Sequence, residues 1–405
     1  MFSKEQKRLL LGCFVAYAAA YTGRLNLAQA LSGIGEALSL SGLSLGALQT
    51  AFAVTYAAGQ LVVGTVVDRL SPRTFIRCGL IGTLVINLCF GFANRYPLML
   101  ILWTLNGAAQ SMLWTPIIRL VSEWFQGEAR SRAAFIMSAA TITGHLLGWA
   151  ITGCMARAVS WRFSFIMPAA ILLVTCVFCW RRVQDSPKQG GAEPGEPAVD
   201  ARPMPVSKLL FGTGLWILLL TCVFSGFVRD GITTWGPSMI VKSFGGGMDG
   251  AVSLSLIIPL LSMLGWLGSR MCFHRLHGDA RRCIAAFLTV DGGIMLALCL
   301  LGAHRPLPLA LLMGLGCAVM HGNTPLLTAM LPVEYESARR VALVAGLVDC
   351  FIYLGSALSG VVTGYLNDLF GWRFAPIQWM LACALGAVCA AASIRLRRRS
   401  GGSQS

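Results

Sequence analysis

Charged side chains lie inside long apolar stretches of this sequence, where a charge is costly. They are Arg24, Arg119, Arg229, Asp230, Asp291 and Asp349. At the centre of a bilayer a charged side chain costs at least about 2.5–3.5 kcal/mol, so such residues face a protein interior or a water-filled cavity. An arginine can hold a phosphate or carboxylate through two parallel hydrogen bonds. These residues therefore predict binding of an anion within a membrane, with no constellation of nucleophile and base that would indicate an enzyme.

Membrane-spanning helices are the elements that must position these residues. The 405-residue chain is 56% hydrophobic and 12% charged, about half the charged share of a soluble domain. A helix needs about 20 apolar residues to span a bilayer, and lipid offers the backbone no other hydrogen-bond partner. Repeated apolar segments of that length predict an all-α membrane protein with twelve transmembrane helices.

A polar segment divides these helices into two six-helix bundles. Residues 181–208 are rich in proline, glycine and charge, and such a composition buries too little apolar surface to fold. The predicted organisation is an N-terminal bundle over 1–180, a cytoplasmic linker over 181–208, a C-terminal bundle over 209–394 and a cytoplasmic tail over 395–405.

The two halves repeat each other in sequence. Gly107 precedes a Thr-Pro pair in the fourth span by the same spacing as Gly316 in the tenth, and Trp-Arg-Phe opens both the sixth and the twelfth span. Parallel repeats related by an axis along the membrane normal are a transporter architecture, with the substrate bound near the midplane between the halves. The pseudo-two-fold relation places the first and seventh spans opposite each other.

The charge distribution indicates the orientation and excludes other partners. The formal net charge is +15, but the basic residues lie in short loops, mostly on the side of both termini. This asymmetry predicts cytoplasmic termini and does not predict nucleic-acid binding. Most of the 14 cysteines are scattered singly in apolar runs, and only Cys176 and Cys179 have a metal-like spacing, without a second pair. No GxxxxGK[ST] loop occurs, so neither a metal, a cofactor nor direct use of ATP is expected.

Several segments resemble a known family of transporters. Residues 64–73 (GTVVDRLSPR) resemble the cytoplasmic loop signature of the major facilitator superfamily. Residues 21–28 (YTGRLNLA), 114–125 (WTPIIRLVSEWF) and 229–237 (RDGITTWGP) are similar to spans one, four and seven of its organophosphate:phosphate antiporters. The resemblance implies the major facilitator fold, a functional monomer in the bacterial inner membrane, and exchange of an organophosphate for inorganic phosphate.

Arg24 and Arg229 are the principal binding candidates. They lie at comparable depths in the first helices of the two halves, so the two-fold axis places them across a central cavity, and the resemblance assigns both to the phosphate. A pairing of each arginine within the protein is the alternative. The remaining predicted binding residues are polar or aromatic, namely Tyr21, Asn26, Gln110, Trp114, His321, Asn323 and Tyr353.

The intramembrane aspartates are predicted to pair with charges or to couple transport. Asp349 could carry a proton, neutralise Arg229 or bind a cationic group of the substrate, whereas Asp291 is expected to pair structurally. Asp230 follows Arg229 directly but lies about 100° away around the helix, so it need not neutralise that arginine.

Other charged residues are assigned to a gate or to structural pairing. The resemblance places Asp68, Arg69 and Arg73 in the cytoplasmic gate. Arg119 and Glu123 have the i,i+4 spacing of a helical ion pair and are expected to form one.

Two departures from the antiporter pattern leave the substrate open. Leu25 stands where glycerol-3-phosphate members have a lysine, and the span-five histidine of those members has no counterpart in register, although His145 is nearby. The sequence therefore predicts a secondary transporter of a small organic anion. A proton-coupled carboxylate or sugar-acid symporter is the closest alternative, and a transporter-like ligand sensor is the alternative of another class.

Overall fold

The computed structural model describes residues 2–66, 71–185, 204–243, 250–301, 305–335 and 340–401. Within these ranges every regular element is a helix. Spans 1–6 are Lys4–Leu38, Gly42–Val66, Pro72–Phe92, Tyr96–Ser111 with Trp114–Trp124, Gly127–Ala158 and Phe163–Cys179. Spans 7–12 are Leu215–Ser243, Ala251–Ser255 with Ile257–Arg275, Ala280–Leu301, Pro306–Pro325 with its short continuation, Val341–Phe370 and Phe374–Gly401.

The all-α class and the twelve predicted spans are confirmed. In the described part of the chain, eight helices are long and apolar enough by themselves to cross a membrane. Of the other four, span 4 is interrupted, span 6 is shorter, and spans 1 and 2 contain polar residues such as Asn26 and Gln60, which make them less apolar. Span 12 continues as helix to Gly401, beyond the predicted start of the tail at residue 395.

The repeated Thr-Pro pairs disturb the helix in both halves. Span 4 breaks after Ser111 and resumes at Trp114, two residues before Pro116. Span 10 reaches Pro325 and continues through a π-helical turn over Leu326–Met330 into the short helix Leu331–Val333. Proline lacks the amide donor and clashes with the carbonyl four residues before it, so the ladder must change locally.

The same helix pairs pack in both halves. Span 1 packs on span 5 as span 7 packs on span 11, and span 2 packs on span 4 as span 8 packs on span 10. Spans 3 and 6 form a third pair, which corresponds to spans 9 and 12. The sequence repeat is therefore a structural repeat.

The halves meet closely where span 2 begins and span 11 ends, at the end of the bundle opposite the chain termini. Glycines let the two backbones approach, so that a Cβ added at Gly46 would lie 2.0 Å from the carbonyl oxygen of Gly360. Asp368 in span 11 accepts hydrogen bonds from the backbone amides of Gly42 and Leu43, at 2.8 and 2.9 Å. This carboxylate thereby caps the first turn of span 2 from the other half. We call this region the closed end.

The predicted gate residues lie at the other end, as far as they are described. Asp68 and Arg69 lie outside the described residues. The backbone amide of Arg73 and the hydroxyl of Ser71 donate to the Asp185 carboxylate, at 3.1 and 2.6 Å, within the N-terminal half. The predicted i,i+4 pair of Arg119 and Glu123 is present, with 2.7 Å between Nε and Oε1.

Candidate functional site

A cavity of about 410 Å³ lies between the two halves. Spans 1, 2, 4 and 5 line it from the N-terminal half, and spans 7, 10 and 11 from the C-terminal half. The structure brings the following predicted residues to its wall: Tyr21, Arg24, Trp114, Arg229, Asp230, His321, Asp349 and Tyr353. One arginine from each half is thus at the cavity, as the two-fold relation required.

Arg24 lies in a cage of aromatic rings. Its guanidinium carbon is 4.4 Å from the centroid of the Tyr56 ring, and Nη2 donates to the Tyr353 hydroxyl at 3.2 Å. The rings of Phe52, Tyr21 and Tyr353 are 5.3, 5.5 and 5.9 Å away. Rings at these distances attract a cation through their negative faces. Among the described residues no carboxylate forms an ion pair with Arg24, so its positive charge is available to an anion.

Arg229 is already neutralised by its neighbour in the chain. Its Nε and Nη2 donate to the two carboxylate oxygens of Asp230 at 2.8 and 3.1 Å, and both side chains are mostly buried. Asp230 thus has the charge-pairing role that was one of its two predicted alternatives, and it pairs with Arg229 although the helix geometry does not require it. Adjacent residues on a helix do not face each other, but the long arginine side chain bends back until its planar end meets the carboxylate.

Asp349 is exposed to the cavity and lies one helical turn before Tyr353 on span 11. The described residues include no hydrogen-bond or ion-pair partner for its carboxylate. It also borders a smaller recess of about 140 Å³, which reaches between spans 2, 4 and 11. Asp349 is therefore a second charge that remains available within the site.

Three predicted binding residues are structural instead. Asn26 is fully buried and donates to the Asn87 side chain and to the Ser164 carbonyl, at 2.7 and 3.0 Å. Gln110 donates to the Ala20 carbonyl at 2.9 Å. Both residues tie span 1 to its neighbours rather than facing the cavity, because only one side of span 1 lines it.

Asn323, the third of these residues, is also fully buried. Its amide donates to the Ser225 hydroxyl at 3.2 Å, which joins span 10 to span 7. His321, two positions before it, lies at the cavity. Two residues so close along span 10 therefore face different surroundings, one the cavity and the other span 7.

Asp291 is fully buried outside the cavity. The expected structural ion pair is not found among the described residues. One carboxylate oxygen is 3.3 Å from the Cys383 sulfur, and the other has no hydrogen-bond partner. Asp291 therefore does not line the cavity and is not placed to contact a ligand there.

Sequence reasoning missed several residues of the wall. Phe52, Tyr56 and Gln60 are spaced by four on span 2, a periodicity that indicates one helix face and could have identified them. His145 was set aside as out of register, yet its ring centroid lies 4.7 Å from that of Tyr21, with the rings tilted by 40°, and 5.7 Å from that of His321 of the other half. The position at which the antiporter resemblance expects a histidine therefore did not indicate which face of span 5 lines the cavity.

Comparison with known proteins identifies the family. Residues 13–339 match the model of the Major Facilitator Superfamily. The chain is 26% identical to the glycerol-3-phosphate transporter of Bacillus subtilis, with 96% of this chain and 92% of that protein aligned. It is 27% identical to the membrane sensor protein UhpC of Salmonella typhimurium, over 91% of this chain and 86% of that one.

The fold agrees with a solved structure of the same architecture. A bacterial homologue of the human lysosomal transporter Spinster, inward-facing and unoccupied, superposes with a TM-score of 0.82 at 13% identity, over 99% of both chains. The sequence matches confirm the resemblance to the organophosphate:phosphate antiporters. The chain is a multi-pass membrane protein of the transporter type rather than an enzyme, and it belongs to the Major Facilitator Superfamily.

Proposed function

We propose that this chain is a secondary transporter, which moves a small organic anion of the organophosphate type across the bacterial inner membrane in exchange for inorganic phosphate. One observation carries the proposal: Arg24 presents a positive charge to the cavity with no described carboxylate against it. The opposite arginine, Arg229, is already paired with Asp230. Arg24 is therefore the primary anion-binding group, and Arg229 assists it.

The contacts between the halves support a mechanism of alternating access. The glycines and the Asp368 cap hold the end opposite the termini together, while the cavity extends toward the terminal side as far as Gln60, Thr328 and Asp349. With the termini in the cytoplasm, as the loop charges predict, this is an inward-facing arrangement. The cavity is lined by one chain, which supports a functional monomer.

Transport into phosphate-loaded proteoliposomes tests this function. We expect uptake of glycerol-3-phosphate or a related organophosphate that depends on phosphate inside. Arg24→Gln should reduce it by about two orders of magnitude, because a charge-assisted interaction of about 3 kcal/mol is removed. Arg132→Gln is the matched control, since Arg132 is exposed and pairs with Glu128 outside the cavity. Uptake that is unchanged in Arg24→Gln would refute the proposed binding site.

The same preparation separates exchange from proton coupling. A symporter would accumulate its substrate under a pH gradient without internal phosphate, and Asp349 would be its proton carrier. An antiporter requires internal phosphate and is indifferent to the gradient. Uptake driven by the gradient alone would therefore replace the phosphate-exchange proposal.

A sensor is the second candidate, because one similar protein bears the name membrane sensor protein. A sensor binds its ligand in the cavity but transports little. Ligand-induced thermal stabilisation that is lost in Arg24→Gln, together with negligible uptake by the wild type, would favour that role.

A further inference from the structure

The charges that line the cavity balance. Among the described residues of the wall, Arg24 and Arg229 are basic and Asp230 and Asp349 are acidic. Because Arg229 and Asp230 neutralise each other at 2.8 Å, the charges left for a ligand are one positive group and one negative group. A simple anion would neutralise Arg24 and leave the Asp349 carboxylate unpaired.

Hydrogen-bond acceptors surround the recess beside Asp349. The Thr115 hydroxyl donates to Gln60 Oε1 at 2.8 Å, and Gln60 Nε2 donates to the Tyr56 hydroxyl at 2.8 Å. These bonds use the hydroxyl donor of the threonine and one of the two amide N–H donors of the glutamine. Lone pairs of the threonine and glutamine oxygens therefore remain, beside a carboxylate with no described partner. A small cation with several N–H donors matches this set.

Arg24 and this recess lie along one wall. Tyr353 accepts a hydrogen bond from Arg24 at 3.2 Å, and Asp349 precedes it by one turn, a rise of about 6 Å. The Tyr56 ring is 4.4 Å from the Arg24 guanidinium and 4.6 Å from the Tyr353 ring, so the wall is continuous. A short molecule can contact both ends.

We propose that the site selects a zwitterionic substrate, whose anionic group binds Arg24 and whose ammonium group enters the recess at Asp349, Gln60 and Thr115. The inference rests on the proposed function and narrows its substrate class to short amine-bearing phosphate monoesters. The ammonium group supplies three donors to the three oxygen-bearing side chains. Leu25, which also lines the cavity, adds no competing positive charge.

A matched pair of probes tests the inference by calorimetry on the purified full-length chain. The probes are 2-aminoethyl phosphate and 2-hydroxyethyl phosphate, which differ only in the terminal group. We expect the amine to bind about tenfold more tightly to the wild type, the effect of one added ion pair in a partly hydrated site. Asp349→Asn should remove this preference, so that the two probes bind with similar affinities.

The outcomes distinguish the two levels of the proposal. Equal affinities of both probes for the wild type, or a preference for the amine retained in Asp349→Asn, would overturn the zwitterion inference. The proposed anion site would still hold if Arg24→Gln weakens binding of both probes. Binding of neither probe, or binding indifferent to Arg24→Gln, would refute the proposed function as well. A third outcome is that added sodium tightens binding of the hydroxyl probe and that Asp349→Asn abolishes this effect. The recess would then hold a free cation, and the inference would be wrong. Glu128→Gln, at an exposed carboxylate outside the cavity, is the control.

Discussion

Asp368 holds the closed end shut from across the interface between the halves, and removing its carboxylate should open that end. Asp368→Ala deletes hydrogen bonds to two backbone amides, at 2.8 and 2.9 Å. Loss of a helix N-cap of this kind costs about 1–2 kcal/mol. Because these bonds exist only while spans 2 and 11 touch, the cost falls on the closed state alone. The equilibrium constant for opening should therefore rise by a factor of about 5–30.

Hydrogen exchange of the first turns of span 2 measures this change directly. The amides at the start of Gly42–Val66 should exchange faster in Asp368→Ala by the same factor, since they lose their acceptors and meet solvent more often. Asp279→Ala is the matched control. Asp279 accepts from the backbone amide of Arg282 at 3.1 Å, which is a helix-start contact within one half.

The control should accelerate exchange only near the start of span 9. If Asp368→Ala leaves exchange at span 2 unchanged, the cap does not contribute to closure. If the control accelerates exchange at span 2 as much, the effect is a general loss of stability. Either result would refute the assignment of Asp368 to the closed end.

Three further substitutions probe packing and charge. Gly46→Val places a side chain where a Cβ lies 2.0 Å from a carbonyl oxygen of span 11, so it should separate the spans and accelerate the same amide exchange at least as much. Arg229→Ala should lower the free energy of unfolding by about 3 kcal/mol, because it leaves a mostly buried Asp230 unpaired. The double variant with Asp230→Ala should regain most of that stability, which thermal unfolding measures. Asn26→Ala should lower the free energy of unfolding by about 1 kcal/mol, the sum of two average interhelical hydrogen bonds. The substrate KM in uptake assays should not change, and a raised KM would show that Asn26 contacts the substrate.

The sequence alone was sufficient for the architecture, because lipid imposes strong rules on it. Apolar segments of spanning length predicted the helices. The repeated Thr-Pro pairs predicted matching halves, and the structure shows a disturbed helix at both pairs. The intramembrane charges also predicted a cavity between the halves, since a charge at that depth requires a cavity or a partner.

The sequence did not reveal which face of each helix meets the cavity. Asn26 and Gln110 are as polar as the cavity residues, yet they bind neighbouring helices. Periodicity gives the relative angle of residues on one helix but not the rotation of that helix in its bundle. That rotation is set by packing against helices distant in sequence.

Charge pairing was likewise decided by the tertiary structure. Helical geometry left a bond between Arg229 and Asp230 undecided, but a long side chain in a confined space adopts the rotamer that satisfies its charge. Asp349, which had several possible partners on sequence grounds, is left facing the cavity without one among the described residues. The sequence thus determined which charges enter the membrane, and only the packing of the twelve helices decided which of them remain for a ligand, because pairing depends on distances of a few ångströms between distant segments.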